Sequence, residues 1–306
     1  MHDATLTCSP SHDEAVTCTE PDGSAYSASE HPGELWAIVL TEGGERHRSP
    51  PFPRRWRGQR QYRLESRPPL PLPEALERIG LLVTGKRTFV VTHASRAGDV
   101  EASVAGFDDV RVVSQPCDRG TAAGVLLPAH FIHARDPRGR VAVFSADSVT
   151  LDEAIWRHLS AVTRFAAMNP EWLVLLGAEP TAPDSCHGWI EPGECVGWAG
   201  TGSVNEVRGF WERPSERLAR GLLRQGCLWP SFAFVTSVAV LVEIGFECLP
   251  LLHDRLTRLE IFSGTQYEPW ALRQAYEFAP SADFARAVLE SPAAPLAVSQ
   301  IPEPIS

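Results

Sequence analysis

Apolar residues along this chain fall into short blocks that switch between two periods. Leu35 to Leu40 is a continuous apolar run entering Glu42-Gly43-Gly44, the pattern of a buried strand that delivers a glycine-containing loop. From Pro73 onward the blocks alternate. They predict a helix at Glu74 to Ile79, a strand at Thr88 to Thr92, a helix near Gly98 to Ala105 and a strand at Val110 to Ser114. A helix from Thr121 to about Ala134 and a strand from Val141 to Phe144 come next, with Pro128 expected to kink that helix. Leu151, Ile155, Leu159, Val162 and Ala166 recur at helical spacing over Leu151 to Ala167, ahead of a strand at Trp172 to Leu176. Further on, strands at Val204 to Trp211 and Leu228 to Val235 flank a helix at Ser215 to Gln225; helices at about Val238 to Ile244 and Pro269 to Phe278 complete the pattern. This alternation predicts an α/β fold with right-handed crossovers and a largely parallel sheet, whose ligands bind beyond the carboxyl ends of the strands.

Composition divides the chain in two. Residues 1–33 carry Asp3, Asp13, Glu14, Glu20, Asp22 and Glu30 with no Lys or Arg, too little apolar surface to fold alone, and are expected to form a disordered acidic tail. Residues 34–306 are expected to form one domain, and 43% hydrophobic residues in a 306-residue chain suffice for its core. Eight arginines between Arg46 and Arg67, with Pro50, Pro51 and Pro53 among them, argue for an extended, solvated connection. A net charge of −10 argues against general affinity for nucleic acid or anionic membranes. No apolar run approaches the ~20 residues of a membrane span, the N-terminus lacks signal-peptide order, and the expected location is cytoplasmic. Seven cysteines without a CxxC pair indicate free thiols, and Cys8, His12 and Cys18 lack a fourth ligand for zinc.

Three places can carry chemistry. The Gly43-Gly44 loop would let backbone N–H groups approach phosphate oxygens, though paired glycines also make plain turns. Asp147 follows Val141-Ala142-Val143-Phe144 and should stand at that strand's carboxyl end, where a carboxylate can hold Mg²⁺ against phosphates or simply cap the next helix. Arg119-Gly120-Thr121-Ala122 opens a helix, a donor-rich start suited to an anion or a nucleotide edge, and equally an ordinary helix entry.

Read together with three downstream segments, His187 to Gly193, Phe210 to Pro214 and Cys227 to Trp229, these places resemble the mannose-1-phosphate guanylyltransferase family. His187-Gly188-Trp189-Ile190-Glu191-Pro192-Gly193 looks like that family's Tyr-Gly-Tyr-Ile-Glu-x-Gly, and Phe210-Trp211-Glu212-Arg213-Pro214 like its Phe-x-Glu-Lys-Pro. Gln115-Pro116-Cys117-Asp118-Arg119-Gly120-Thr121-Ala122 is similar to Glu-Pro-x-x-Arg-x-Thr-Ala, Phe144-Ser145-Ala146-Asp147 to Phe-Pro-Ser-Asp, and Cys227-Leu228-Trp229 to the segment before the family's sugar-side Asn. The order is the family's own, over roughly Trp36 to Val298. The resemblance implies a Rossmann-like GT-A fold of nucleotide-diphospho-sugar transferases, a mainly parallel mixed sheet flanked by helices. It implies GTP and a sugar 1-phosphate as substrates, Mg²⁺ as cofactor and pyrophosphate as leaving group. By position it assigns Arg48, Arg60 and Asp147 to catalysis, with Asp147 as the metal ligand. Gly43, Gly44, Arg119 and Thr121 fall on the nucleotide side, and Gly188, Glu191, Glu212 and Arg213 on the sugar-phosphate side.

Several positions depart from the family. Against its Leu-Ala-Gly-Gly-x-Gly-Thr-Arg, this chain has Leu40-Thr41-Glu42-Gly43-Gly44-Glu45-Arg46-His47-Arg48, with Arg46 at the third glycine and an added Glu42 beside the expected polyanion. Arg60 and Arg213 stand where the family has lysines, in a chain whose one lysine is Lys86. A planar guanidinium does not neutrally replace an ammonium point charge. Ser148, His187 and Pro230 replace a His, a Tyr and an Asn, and Ser306 is reached before the family's Trp-x-Asp-Leu-Gly segment with its second metal carboxylate. These changes raise an alternative: a catalytically impaired paralogue that binds nucleotide, nucleotide sugar or a protein partner without turnover.

Overall fold

The structure is a computed structural model and describes residues 33–41, 71–146 and 153–301. The acidic N-terminal segment, the arginine-rich stretch and Asp147 lie outside the described residues. Among the described residues, nine strands form one sheet in the order β3-β2-β1-β4-β8-β5-β9-β7-β6. The strands are β1 (Leu35–Leu40), β2 (Thr88–His93), β3 (Arg111–Gln115), β4 (Arg140–Ser145), β5 (Leu173–Ala178), β6 (Trp189–Ala199), β7 (Gly202–Trp211), β8 (Trp229–Ser237) and β9 (Leu296–Gln300).

β1 to β4 are mutually parallel, and β5 with β9 is a second parallel pair. β8 inserts antiparallel between β4 and β5, so the sheet is mixed though mostly parallel. Alternate residues of β1, β4 and β5 face opposite covered layers, which is why these strands read as largely apolar runs rather than as alternation. Trp36, Ile38, Val141 and Val143 point to one core, while Ala37, Val39, Ala142 and Phe144 point to the other. The first core is closed by helices α3 (Gly120–Arg135), α6 (Val238–Cys248), α7 (Pro250–Thr257) and α8 (Glu268–Phe278). The second is closed by α1 (Leu72–Ile79), α2 (Ala97–Val104) and α4 (Glu153–Met168). A satellite cluster of Trp189, Ala219, Leu222, Cys227 and Trp229 packs α5 (Glu216–Arg224) against the β6–β7 hairpin.

The expected elements are present, most with ends shifted by a residue or two, as hydrogen-bonded ends commonly are, while the helix expected over Val238 to Ile244 runs on to Cys248. α3 runs unbroken through Pro128. Every residue from Ala122 to Ile132 is buried, so packing on both sides offsets the one backbone donor that proline lacks. Among the described residues no helix is long and apolar enough to cross a membrane.

Two buried histidines make stability depend on pH. His130 and His158 are 0% and 7% exposed, and burial lowers both imidazole pKa values below 6.5. For His130 this outweighs the opposing pull of Glu260, whose Oε1 lies 2.8 Å from Nδ1; His253 and His133 add to the lowering. His158 Nε2 lies 3.1 Å from the Ser299 hydroxyl. The unfolded chain takes up protons near its ordinary histidine pKa while the folded one does not, so stability is lost as pH falls through about 6.5 toward the lowered folded values. Thermal melts at about pH 7.5 and 5.5 should show this loss, reduced in His158→Gln. An unchanged pH difference in that variant would remove His158 from the account.

Candidate active site

β1 lies at the sheet's topological switch: the chain visits β2 and β3 on one side of it, then crosses to β4 on the other. Crevices open at such points, outside the carboxyl ends. Leu40 and Ser145, the last residues of β1 and β4, are register partners. Thr41 continues from β1 and is tied to β2, its backbone N–H and its hydroxyl both donating to the Val91 carbonyl at 3.1 Å. The segment with Gly43, Gly44 and Arg48 follows Thr41, and Asp147 follows Ala146, so the two leave from adjoining strand ends. Those four residues and Arg60 lie outside the described residues.

Arg119 and Thr121 stand at the entrance of α3, beyond β3. The Arg119 Nε donates to the Tyr276 carbonyl at 2.7 Å and a terminal nitrogen donates to the Glu277 carbonyl at 3.0 Å. Both carbonyls belong to the last turn of α8, where no intrahelical donor remains for them and a cation is favoured. The Thr121 hydroxyl donates to Asp283 Oδ2 at 3.2 Å and accepts from the Phe284 N–H at 2.8 Å. At the end of β3, Gln115 is buried and accepts from the Tyr276 hydroxyl at 3.1 Å; burial holds that phenol far above its usual pKa.

A second cluster forms where the β6–β7 hairpin meets β8. A Cβ at Gly188 would lie 3.1 Å from Glu212 Oε2, Phe210 and Pro230, so the absent side chain lets the Glu212 carboxylate approach the backbone. Glu212 Oε1 lies 3.5 Å from Arg213 Nε. Arg213 itself has φ +54, a left-handed conformation unusual for a residue with a Cβ. Glu191 pairs with Gly209 across the hairpin, and its charge, after burial, helps push the Cys227 thiol up to about 11. His187 stacks on Trp229 with ring centroids 4.7 Å apart, and Trp189 meets Trp229 edge-on at 5.8 Å. Asp184 holds this arrangement from below: its carbonyl accepts from Trp189 Nε1 at 2.8 Å, and its carboxylate is 3.1 Å from His187 Nδ1. Pro230 enters β8 beside the register shift between Leu175 and Gly177, a place where a missing ladder donor is tolerated.

Comparison with known proteins fits this geometry. Residues 75–244, more than half of the chain, match the family described as Nucleotidyl transferase. The chain belongs to that family. Over 144 residues it is 29% identical to the xanthan biosynthesis protein XanB of Xanthomonas campestris pv. campestris, covering 47% of this chain and 29% of that protein. Over 134 residues it is 26% identical to a mannose-1-phosphate guanylyltransferase of Escherichia coli, covering 42% and 28%. The chain therefore spans less than a third of the length of these curated relatives. A solved structure from Thermus thermophilus, described as a mannose-1-phosphate geranyltransferase, shares 27% identity at a TM-score of 0.67, covering 89% of this chain and 75% of that one. The fold is the Rossmann-like fold of nucleotidyltransferases, a mostly parallel mixed sheet flanked by helices.

Nucleotidyl transferase chemistry commonly employs Mg²⁺. At the carboxyl ends of β1, β2 and β4 the described side chains are Thr41, His93 and Ser145, and among the described residues no group of three His, Cys, Asp or Glu could hold a metal ion. These residues do not build a Mg²⁺ site by themselves; Asp147, which follows Ala146 in sequence, lies outside the described residues. Sequence reasoning missed Asp184, Tyr276 and Glu290 as supports of the two clusters. Glu290 carries no local signal: its partner, the Glu212 N–H at 2.6 Å, lies 78 positions upstream.

Proposed function

We propose that this nucleotidyl transferase acts on a sugar 1-phosphate, most specifically that it joins GTP and mannose 1-phosphate into GDP-mannose with release of pyrophosphate. The observation that carries this reading is the pairing of Leu40 with Ser145 at the switch point, since in sequence Gly43 and Gly44 follow the first of these strand ends and Asp147 follows the second. The sugar-phosphate oxygen attacks the α-phosphorus; the bond from that phosphorus to the bridging oxygen breaks and pyrophosphate carries away the electron pair. Such chemistry needs positioning and charge neutralisation more than a covalent intermediate. Gly43 and Gly44 offer backbone donors to the triphosphate, Arg48 and Arg60 neutralise it, and Arg119 and Thr121 frame the nucleotide side. Glu191 and Glu212 accept from sugar hydroxyls, Gly188 leaves room for the ring, and Arg213 meets the sugar phosphate. Mg²⁺ held through Asp147 would supply further charge neutralisation. The same reading has the chain acting in the cytoplasm.

A second reading, ligand binding without turnover, is favoured by one observation: the Arg119 guanidinium is already engaged with the Tyr276 and Glu277 carbonyls. Pyrophosphate release from GTP, mannose 1-phosphate and Mg²⁺ separates the two. Release above a no-enzyme control is expected. Its absence with every common nucleoside triphosphate and sugar phosphate would sink the enzymatic reading, and binding without release would leave the second standing.

A further inference from the structure

Residues 279–290, between α8 and β9, match none of the sequence motifs, yet they touch both clusters. At one end, Ala282 and the α3 entrance exchange backbone hydrogen bonds: Ala122 N–H donates to the Ala282 carbonyl at 3.1 Å, and Ala282 N–H donates to the Arg119 carbonyl at 3.0 Å. Asp283 and Phe284 then engage the Thr121 hydroxyl from two sides. The middle is fixed to the core. The Phe284 ring stacks on Phe234 of β8 at 5.5 Å and 3° between planes, and Val288 is fully buried. A π-helical turn, Ala285–Leu289, a rare form frequent at functional sites, delivers Glu290 at the other end. There the Glu290 carboxylate accepts from the Glu212 N–H at 2.6 Å, a short charge-assisted bond on the peptide just ahead of the left-handed Arg213. A non-glycine residue keeps a positive φ only where its surroundings impose it.

We infer that residues 282–290 form a positioning strap joining the two halves of the substrate site, with Glu290 as the positioning residue for Glu212 and Arg213. Its ligand consequence rests on the function proposed above, whereas its mechanical content does not. The strap is anchored in the core at its middle, so a change at Glu290 is felt at the Glu212–Arg213 turn rather than at Thr121. Glu290 is exposed, and replacing it opens no buried void.

The test compares Glu290→Leu with Glu290→Gln, which keeps an acceptor oxygen. Amide hydrogen exchange of residues 209–215 is followed without ligand, and mannose 1-phosphate and GTP are titrated separately. Glu290→Leu should speed exchange at the Glu212 amide about tenfold and weaken mannose 1-phosphate binding about tenfold, with GTP binding changed less than about twofold. Glu290→Gln, which keeps an acceptor but loses the charge, should fall between wild type and Glu290→Leu in exchange and in mannose 1-phosphate binding. Unchanged exchange in Glu290→Leu, or an equal loss with Gln and Leu, overturns the strap. Should wild type bind neither ligand, the proposed function falls while the exchange result still decides the strap.

Discussion

Replacing Asp147 with alanine should lower pyrophosphate release by on the order of 10²–10³-fold, the scale expected when one preorganised electrostatic partner of the transferred phosphoryl group is removed. The expectation comes from where its strand ends: Ser145 is paired with Leu40 at the switch point, and Asp147 is two residues further on. A carboxylate facing a triphosphate is repulsive unless a cation intervenes, so the same variant has a readout that needs no turnover. In wild type, Mg²⁺ should tighten GTP binding; in Asp147→Ala, that enhancement should largely vanish. Equal enhancement in both proteins would show that Asp147 plays only the capping role the sequence also allows.

The second large effect is on stability. Gly120 has φ +78, and a Cβ there would stand 2.2 Å from the Ala282 carbonyl oxygen, a backbone atom with little freedom to retreat. Gly120→Ala should therefore cost about 3 kcal/mol or more, combining left-handed strain with the clash. In a domain of this size that lowers Tm by about 6–12 °C. Gly226 is the control: its φ is +75, but a Cβ there would meet nothing within 4 Å. Gly226→Ala should lose only the ~1–2 kcal/mol of backbone strain. Matching losses for the two variants in thermal or denaturant unfolding would mean that the contact between the α3 entrance and Ala282 contributes nothing to rigidity.

Gly120 also marks where sequence reasoning stops. Arg119-Gly120-Thr121-Ala122 is legible as a helix entrance, and α3 begins there, but the partners of Arg119 and Thr121 lie 157 to 163 positions later. The hairpin shows the same limit. His187 to Gly193 is a motif in the sequence, yet the strand Trp189–Ala199 is hard to read there, because the register slips at Pro192, Cys195 and Gly197 and the two-residue period breaks with it. Gly188, Glu212 and Arg213 are recognisable one by one, and only the fold brings the Glu212 carboxylate over Gly188.

The apolar periods alone determined the alternation of strands and helices, the buried character of β1, β4 and β5, and the placing of glycine and aspartate after strand ends. These depend on contacts within a few residues, where a period of 2 or 3.6 leaves its imprint directly in composition. The tertiary structure alone decided that β8 runs backward between β4 and β5, that β9 joins β5 to the hairpin, and that Glu290 meets Glu212. Strand pairing and turn anchoring join residues far apart in the chain, and a one-dimensional pattern carries the faces of each element but not the identity of its neighbour.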